Sequence, residues 1–186
     1  MSASLLNLPT FLDSGDFRVV VESPRGSRVK LKVDPDHGVV TLSRPLPLGL
    51  AYPFDWGFIP GTYAADGDPL DAMVCWDVPS FPGVVIVCRA LGMLKVEQDS
   101  KDRPGHRERN DRVIGVPASA PRQGELNAIE DLPGRVRAEL EKFFLDATAF
   151  ERKNAVILGW EGAQSAEALI RSSVRTSVAR ELSSAG

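Results

Sequence analysis

This 186-residue chain has only two cysteines, two histidines and two tyrosines, and its net charge is −3. Cys75 and Cys88 stand in strand-like runs without paired spacing, which predicts buried thiols in a reducing cytoplasm rather than a disulfide framework. His37 and His106 have no serine or cysteine partner arrangement, so the sequence offers no catalytic triad. The small net charge gives no support for a nucleic-acid or anionic-membrane partner.

Long apolar runs are also missing. No run approaches the length that is needed to span a bilayer, and the first residues lack the basic start and apolar stretch of a signal peptide. Apolar residues make up 43% of the chain and charged residues 25%, which is ordinary for a globular protein. We therefore expect one cytoplasmic domain over residues 1–186, with a sizeable core and no membrane association.

The first two thirds of the chain are predicted to be β. Short β-branched or alternating runs, separated by turn signals rich in proline and glycine, indicate strands at 17–22, 28–33, 39–42, 70–76, 83–96 and 112–116. Short strands at close spacing favour a small closed barrel over a parallel sheet. The charged segment 98–111 is expected to be a loop inserted between two strands.

Two helices are expected in the remainder, so the fold class is mainly β with α. Asp131-Leu132-Pro133 predicts a helix start, with Asp131 as the cap and Pro133 in the first turn. Apolar residues then recur every three or four positions as far as Ala147, which gives one buried stripe. A second helix is expected over 163–182, with the stripe Ala166, Leu169, Ile170, Val174, Val178 and Leu182.

The segment Asp66-Gly67-Asp68-Pro69-Leu70-Asp71 places three carboxylates within six positions, between apolar flanks. Carboxylates this close repel one another and tend to hold protons unless a cation lies among them. Glycine and proline predict a tight bend that can turn all three side chains toward one point. Oxygen ligands of this kind suit Mg²⁺, Mn²⁺ or Ca²⁺ rather than zinc. An ordinary surface turn is the alternative, and three acids in an apolar setting favour the metal site.

Basic residues on the early strands suggest what such a metal site acts on. Lys30 and Lys32 share strand parity and so point to one face of the sheet. If that face lies near the aspartates, the mixture of cations and carboxylates suits a phosphate ester or anhydride bridged to metal ions. The default reading of each lysine is a solvated surface charge. Tyr52 is a candidate donor to an anionic substrate, with an ordinary core role as the alternative.

The acidic turn, preceded by Tyr52-Pro53 and Gly57-Phe58-Ile59-Pro60, resembles the signature of the soluble family I inorganic pyrophosphatases. Further residues fall at the intervals of that family, namely Glu22, Lys30, Arg44, Arg112 with Val116-Pro117, Phe143-Phe144 and Gly159-Trp160-Glu161. The resemblance covers most of the chain. It implies a single pyrophosphatase-like domain over residues 1–186, built as a distorted five-stranded OB-like barrel flanked by two C-terminal helices.

The resemblance also implies Mg²⁺-dependent hydrolysis of pyrophosphate to two phosphates in a cytoplasmic homo-oligomer, commonly a hexamer, with Mn²⁺ as a possible substitute. The implied metal ligands are Asp66, Asp68 and Asp71, with Glu22 as an outer acid. Asp68 would also help to deprotonate the attacking water. The implied phosphate ligands are Lys30, Arg44, Tyr52 and Arg112.

Several positions depart from the pattern of that family. Lys32 stands where the family has glutamate, Trp56 where it has tyrosine, and Ala147-Thr148 where it has a Tyr-Lys pair. Two further metal-binding aspartates would fall near Gln98 and Asn110. The neighbouring acids Glu97, Asp99 and Asp111 are possible replacements, but adjacent strand residues point to opposite faces. The departures leave two alternatives open, a non-catalytic phosphate- or metal-binding relative and a hydrolase of another phosphoanhydride.

Overall fold

The computed structural model describes residues 4–174. The strands are β1 (Phe17–Ser23), β2 (Val29–Val33), β3 (Val40–Pro45), β4 (Asp55–Phe58), β5 (Asp71–Val74), β6 (Val85–Asp99), β7 (Arg107–Arg109), β8 (Arg112–Pro117) and β9 (Val156–Gly162). The helices are α1 (Gly134–Ala147) and α2 (Ala163–Ser173). Three short 3₁₀ turns cover Leu5–Asn7, Pro121–Gln123 and Ile129–Asp131.

Five of the strands close into a barrel, as predicted. The order is β1-β4-β5-β8-β6, and β6 pairs back onto β1. All pairs in this ring are antiparallel except β5 with β8. Strand β6 is 15 residues long and extends beyond the ring, where β7 and β9 pair with it. Strands β2 and β3 form a separate hairpin.

Two glycines allow strands to approach closely in this sheet. A Cβ atom at Gly57 of β4 would lie 1.8 Å from the Val20 carbonyl oxygen of β1. A Cβ atom at Gly92 of β6 would lie 2.4 Å from the Glu161 carbonyl oxygen of β9. A larger side chain at either position would therefore push a neighbouring backbone away and open the sheet.

The two helices pack against different core clusters. Leu140, Phe143 and Phe144 of α1 are buried in a cluster with Trp56 and Leu94 of the barrel. This confirms the apolar stripe that was predicted for the first helix. Ala166 and Ile170 of α2 are fully buried in the other cluster, which contains residues of β1, β5, β6 and β8. No helix within residues 4–174 is long and apolar enough to cross a bilayer.

Two predicted helix boundaries are wrong. Helix α1 begins at Gly134, after the extended Pro133, because the Asp131 carboxylate caps the preceding 3₁₀ turn by accepting hydrogen bonds from the N–H groups of Asn127 and Ala128. Helix α2 ends at Ser173, and Val174 is extended and bridges to Thr62. The remaining predicted helical positions, including Val178 and Leu182, lie outside the described residues.

The segment 98–111 is a hairpin rather than a simple loop. Strand β6 continues to Asp99, and β7 returns along it with Gln98 opposite Glu108. Strand β4 was not predicted, because its four residues lie in a stretch rich in aromatics, glycine and proline. Trp56 and Phe58 of β4 are buried in the core.

Candidate active site

One pocket brings together the side chains that the sequence singled out, except Glu22. Its lining comes from the β2–β3 hairpin, β4 and the loop before it, the acidic turn (residues 66–71), the loop after β6, the start of β8, and α1 with the loop after it. The lining residues are Lys30, Lys32, Arg44, Tyr52, Trp56, Asp66, Asp68, Asp71, Lys101, Asn110, Arg112, Phe143, Phe144, Ala147, Thr148 and Lys153. The three aspartates thus lie in one pocket with all four predicted phosphate ligands.

The backbone of the acidic turn explains why its aspartates share the pocket. The Ala64 N–H donates to the Asp68 carbonyl oxygen at 2.7 Å, and the Gly67 N–H donates to the Ala64 carbonyl at 3.1 Å. Gly67 has a φ of 80°, a left-handed conformation that favours glycine. The chain then enters β5, where Asp71 lies directly opposite Arg112 of the parallel strand β8.

Asp68 is paired with two lysines from distant parts of the chain. Its Oδ2 atom lies 3.4 Å from Lys32 Nζ and 3.1 Å from Lys101 Nζ. Burial works against the negative charge, but the two ammonium groups outweigh burial and hold the pKa of Asp68 below its ordinary value. Asp68 is therefore an ionised carboxylate at neutral pH.

The other two aspartates also have partners in the protein. Arg112 donates to Asp71 Oδ2 at 2.5 Å, and Asn110 Nδ2 donates to Asp66 Oδ2 at 3.2 Å. Arg112 also donates to the Asn110 side-chain oxygen. The pKa of Asp66 is raised by burial and, to a smaller extent, by repulsion from Asp68 and Asp71. Asp66 is thus the aspartate with the least compensated charge.

Aromatic side chains line one side of the pocket and contact Arg112. The Arg112 guanidinium lies over the Trp56 ring, 5.4 Å from its centroid. Tyr52 stacks on Trp56 and contacts Phe143. Burial raises the pKa of Tyr52 against a hydrogen bond with Ser23, so its hydroxyl keeps its proton. Trp56 Nε1 and Arg112 Nε are buried and have no hydrogen-bond acceptor within the described residues.

Lys30 and Glu22 lie in a less hydrated environment. Burial lowers the pKa of Lys30 to about 8, despite the attraction of Asp71. Burial raises the pKa of Glu22 to about 7, although its carboxylate accepts a hydrogen bond from the Val33 N–H at 2.8 Å. Glu22 does not line the pocket, and its part as an outer metal ligand stays a prediction.

Two lining residues were missed by the sequence reasoning. Lys101 comes from the tip of the hairpin and Lys153 from the loop after α1. The hairpin was noted for its charge, but its sequence does not say which basic residue turns inward. Lys153 lies 3.5 Å from Glu151, which also pairs with Arg44. Arg44 in turn donates to the Ala147 carbonyl at the end of α1, at 2.8 Å.

The acids of the hairpin do not replace the missing carboxylates. Arg107 pairs with Glu97 at 2.6 Å and with Asp99 at 2.8 Å. Asp111 accepts from both Arg109 and the Val96 N–H. None of the three acids lines the pocket, as strand alternation predicted. The inward positions carry amides, since Asn110 lines the pocket and Gln98 is 1% exposed.

A metal ion fits this donor set only in part. Three aspartate carboxylates are the oxygen ligands that one hard divalent ion prefers. Across residues 4–174, however, no group of three His, Cys, Asp or Glu side chains is arranged to hold a metal ion. Ammonium, guanidinium and amide groups of Lys32, Lys101, Arg112 and Asn110 contact the carboxylates instead. Lys32 and Asn110 provide no carboxylate for additional ions.

Comparison with known proteins identifies the family. The model of the Pyrophosphatase family (inorganic pyrophosphatase) matches residues 19–177. The inorganic pyrophosphatase of Synechocystis sp. is 37% identical over 171 residues, which is 92% of this chain and 97% of that protein. That of Methanosarcina mazei is 37% identical over 153 residues, or 82% of this chain and 86% of that protein.

Solved structures agree with the sequence relatives. The crystal structure of inorganic pyrophosphatase from Thermus thermophilus superposes with a TM-score of 0.84 at 36% identity, over 92% of this chain and 97% of that chain. An inorganic pyrophosphatase from Coxiella burnetii superposes with a TM-score of 0.80 at 32% identity, over 90% of this chain and 98% of that chain. With its barrel and nearly its whole length matched, the chain belongs to the inorganic pyrophosphatase family.

Proposed function

We propose that this protein hydrolyses inorganic pyrophosphate to two phosphate ions, with Mg²⁺ as its cofactor and Mn²⁺ as a substitute. Membership of the family implies a divalent metal cofactor. The single observation that carries the proposal is one pocket that combines three aspartates with six basic side chains. Such a mixture suits a phosphoanhydride, whose oxygens are shared between metal and protein donors.

Each side chain has a part in this proposal. Asp66, Asp68 and Asp71 are the metal ligands, with Glu22 behind them. When bound, the divalent ion neutralises phosphate charge and lowers the pKa of a water molecule. Asp68 is ionised and so is able to accept the proton of the attacking water. The substrate ligands are Lys30, Arg44, Arg112 and the protonated hydroxyl of Tyr52.

The basic ligands hold the substrate without further rearrangement of the fold. Arg112 is fixed by Asp71 and by the Trp56 ring, and Arg44 is fixed by the end of α1. Fixed donors cost little reorganisation when charge develops on the departing phosphate, and such preorganisation is a large part of enzymatic rate acceleration.

The direct test is phosphate release by the purified full chain from pyrophosphate with Mg²⁺ or Mn²⁺, and with EDTA as the control. We expect release with metal and none with EDTA. No release with either ion would contradict the proposal. Pyrophosphate binding without turnover would instead support a non-catalytic relative, which the amide at Asn110 and the lysines at Asp68 favour.

A second candidate is the hydrolysis of a bulkier phosphoanhydride. Ala147 and Thr148 line the pocket, and their small side chains leave room at this wall. A phosphate-release panel of pyrophosphate, linear polyphosphates and nucleoside diphosphates and triphosphates separates the two candidates. Faster turnover of a bulkier compound than of pyrophosphate would favour the second.

We propose in addition that the protein is a cytoplasmic homo-oligomer, with a hexamer as the expected size. Leu48, Phe81 and Phe150 expose most of their side chains, and an interface between protomers that covered them would remove this apolar surface from water. Cys75 and Cys88 are free and buried, which fits a reducing compartment. Light scattering at micromolar concentration measures the assembly directly, and a monomer there would contradict it.

A further inference from the structure

Lys32 and Lys101 lie where they compensate the charge of Asp68. Lys32 belongs to β2 and Lys101 to the hairpin tip, yet both ammonium groups approach the same oxygen, Asp68 Oδ2, at 3.4 and 3.1 Å. Asp68 thus has two cationic partners, and Lys101 is also attracted by Asp66 and Asp71 of the same turn. Both lysines are only about half buried, with exposed side-chain fractions of 42% and 48%, so each is free to turn toward a bound anion.

The pocket as a whole carries more basic than acidic groups. Six basic side chains, Lys30, Lys32, Arg44, Lys101, Arg112 and Lys153, line it together with three carboxylates. Two further acids stand behind the lining, Glu22 on β1 and Glu151 beside Arg44. Even with both of these fully ionised, six positive charges face five negative ones. A concave site with an excess of positive charge attracts anions without the help of a metal ion.

Two buried donors in the same pocket lack an acceptor. Trp56 is 4% exposed and Arg112 is 7% exposed, and neither Trp56 Nε1 nor Arg112 Nε has a hydrogen-bond partner in the described part of the chain. Burying an N–H donor without a partner is unfavourable, because the donor loses its hydrogen bonds to water. Both side chains line the pocket, so their unpaired N–H groups add to its preference for an anion over a cation.

We infer that the pocket binds pyrophosphate in the absence of a divalent metal ion, with Lys32 and Lys101 supplying at Asp68 the positive charge that a metal would otherwise supply. The inference takes its substrate class from the proposed function. It concerns how the anion is held and does not require turnover.

The first test is calorimetric titration of the EDTA-treated full chain with pyrophosphate in EDTA. We expect saturable binding that weakens as salt is added. Lys32→Gln and Lys101→Gln should each weaken it about 10- to 100-fold, because a hydrogen bond to a charged group contributes about 1.5–3 kcal/mol. Lys142→Gln is the matched control, since this exposed lysine pairs with Asp146 on α1 and does not line the pocket.

The absence of metal-free binding by the wild type, with binding restored on adding Mg²⁺, would overturn the inference. Metal-free affinity that is unchanged in both lysine variants would equally overturn the part assigned to these side chains.

A second measurement uses Mn²⁺ alone, and here the lysine substitutions should strengthen binding rather than weaken it. The Lys32→Gln/Lys101→Gln double variant frees Asp68 of both counter-charges, so electron paramagnetic resonance should show Mn²⁺ binding roughly tenfold tighter or more than in the wild type. Weaker pyrophosphate binding together with tighter Mn²⁺ binding cannot come from a variant that fails to fold. Equal or weaker Mn²⁺ binding would refute the counter-ion role.

Turnover is scored separately from both measurements. Binding in EDTA without hydrolysis in Mg²⁺ would contradict the proposed function and leave this inference standing. Hydrolysis in Mg²⁺ without binding in EDTA would support the proposed function and contradict this inference.

Discussion

Two parts of the molecule carry clustered acids, the acidic turn and the 97–111 hairpin, and their acids have different partners. In the hairpin, Glu97 and Asp99 pair with Arg107, and Asp111 pairs with Arg109, all within the same short segment. In the turn, Asp68 and Asp71 pair with lysines and an arginine that lie distant in sequence. The local pairs join residues of one hairpin to each other, whereas the long-range pairs bring several elements to one pocket.

Strand alternation decides which side chains of the hairpin point inward and which point outward. Glu97 and Asp99 flank Gln98, and the two acids turn outward while the amide is fully buried. The same shift by one residue separates the pocket-lining Asn110 from Asp111. A carboxylate at position 97, 99 or 111 is therefore no substitute for one at position 98 or 110, because neighbouring strand residues point to opposite faces.

The largest expected effect is the loss of turnover when an aspartate of the acidic turn is replaced. An aspartate of the hairpin serves as the reference. Asp68→Asn removes the proposed base and metal ligand, and we expect phosphate release from pyrophosphate in Mg²⁺ to fall about 10²–10⁴-fold. Asp99→Asn makes the same change in the hairpin and should leave turnover nearly unchanged. Equal losses in the two variants would remove the functional distinction between the regions.

The arginine partners should differ in their effect on stability. Arg112 is 8% exposed in its side chain, so Arg112→Met leaves Asp71 without its partner and should lower the free energy of unfolding by about 3 kcal/mol. The exposed Arg107 is the counterpart in the hairpin, and Arg107→Met should change the unfolding midpoint little. Urea denaturation in EDTA measures both. A larger loss for Arg107→Met would reverse the comparison.

Glu22 differs from the acids of both regions, because it is buried behind the pocket. Its pKa is 4.5 when unperturbed and about 7 in the fold, so between these values the folded state binds more protons than the unfolded chain. Its ionisation therefore costs stability as pH rises, and the cost is complete above about pH 7. Glu22→Gln should raise the free energy of unfolding by about 1–3 kcal/mol at pH 8 and by less at pH 5.

Urea denaturation of the metal-free protein at both pH values checks the Glu22→Gln prediction. Glu167→Gln is the control, because it makes the same change in a side chain that is exposed on α2. A gain that is equal at pH 5 and pH 8 would mean that ionisation of Glu22 is not its source.

The smallest expected effect comes from giving the pocket one more carboxylate. Asn110→Asp adds an oxygen ligand beside Asp66 and should tighten Mg²⁺ binding about tenfold, since the charge of the ligands tunes affinity. Calorimetry with Mg²⁺ measures the change. Gln164→Glu makes the same change on the exposed face of α2 and should have no effect. Unchanged affinity in Asn110→Asp would place position 110 outside the metal's reach.

Much of the fold was predictable because its signals are local. The β-branched runs of β1 and β8 are typical of strands, and the apolar stripe of α1 follows the helical period. All three elements are found close to their predicted positions. Strand β4 escaped notice because its stretch reads as turns and aromatics. Only its pairing with β1 and β5 makes it a strand. The end of α2 at Ser173 likewise depends on a bridge between Val174 and Thr62, which no local pattern contains.

The sequence by itself determined the family and the barrel with its helices. It also placed three aspartates in one bend, because glycine and proline favour a turn whatever the rest of the fold is. Only the tertiary structure decided which charges meet them. Lys101 and Lys153 reach the pocket from separate loops, and Lys32 meets Asp68 across 36 positions of chain. Electrostatic pairing depends on distance in space, and distance in space between remote residues is a property of the folded barrel rather than of any segment within it.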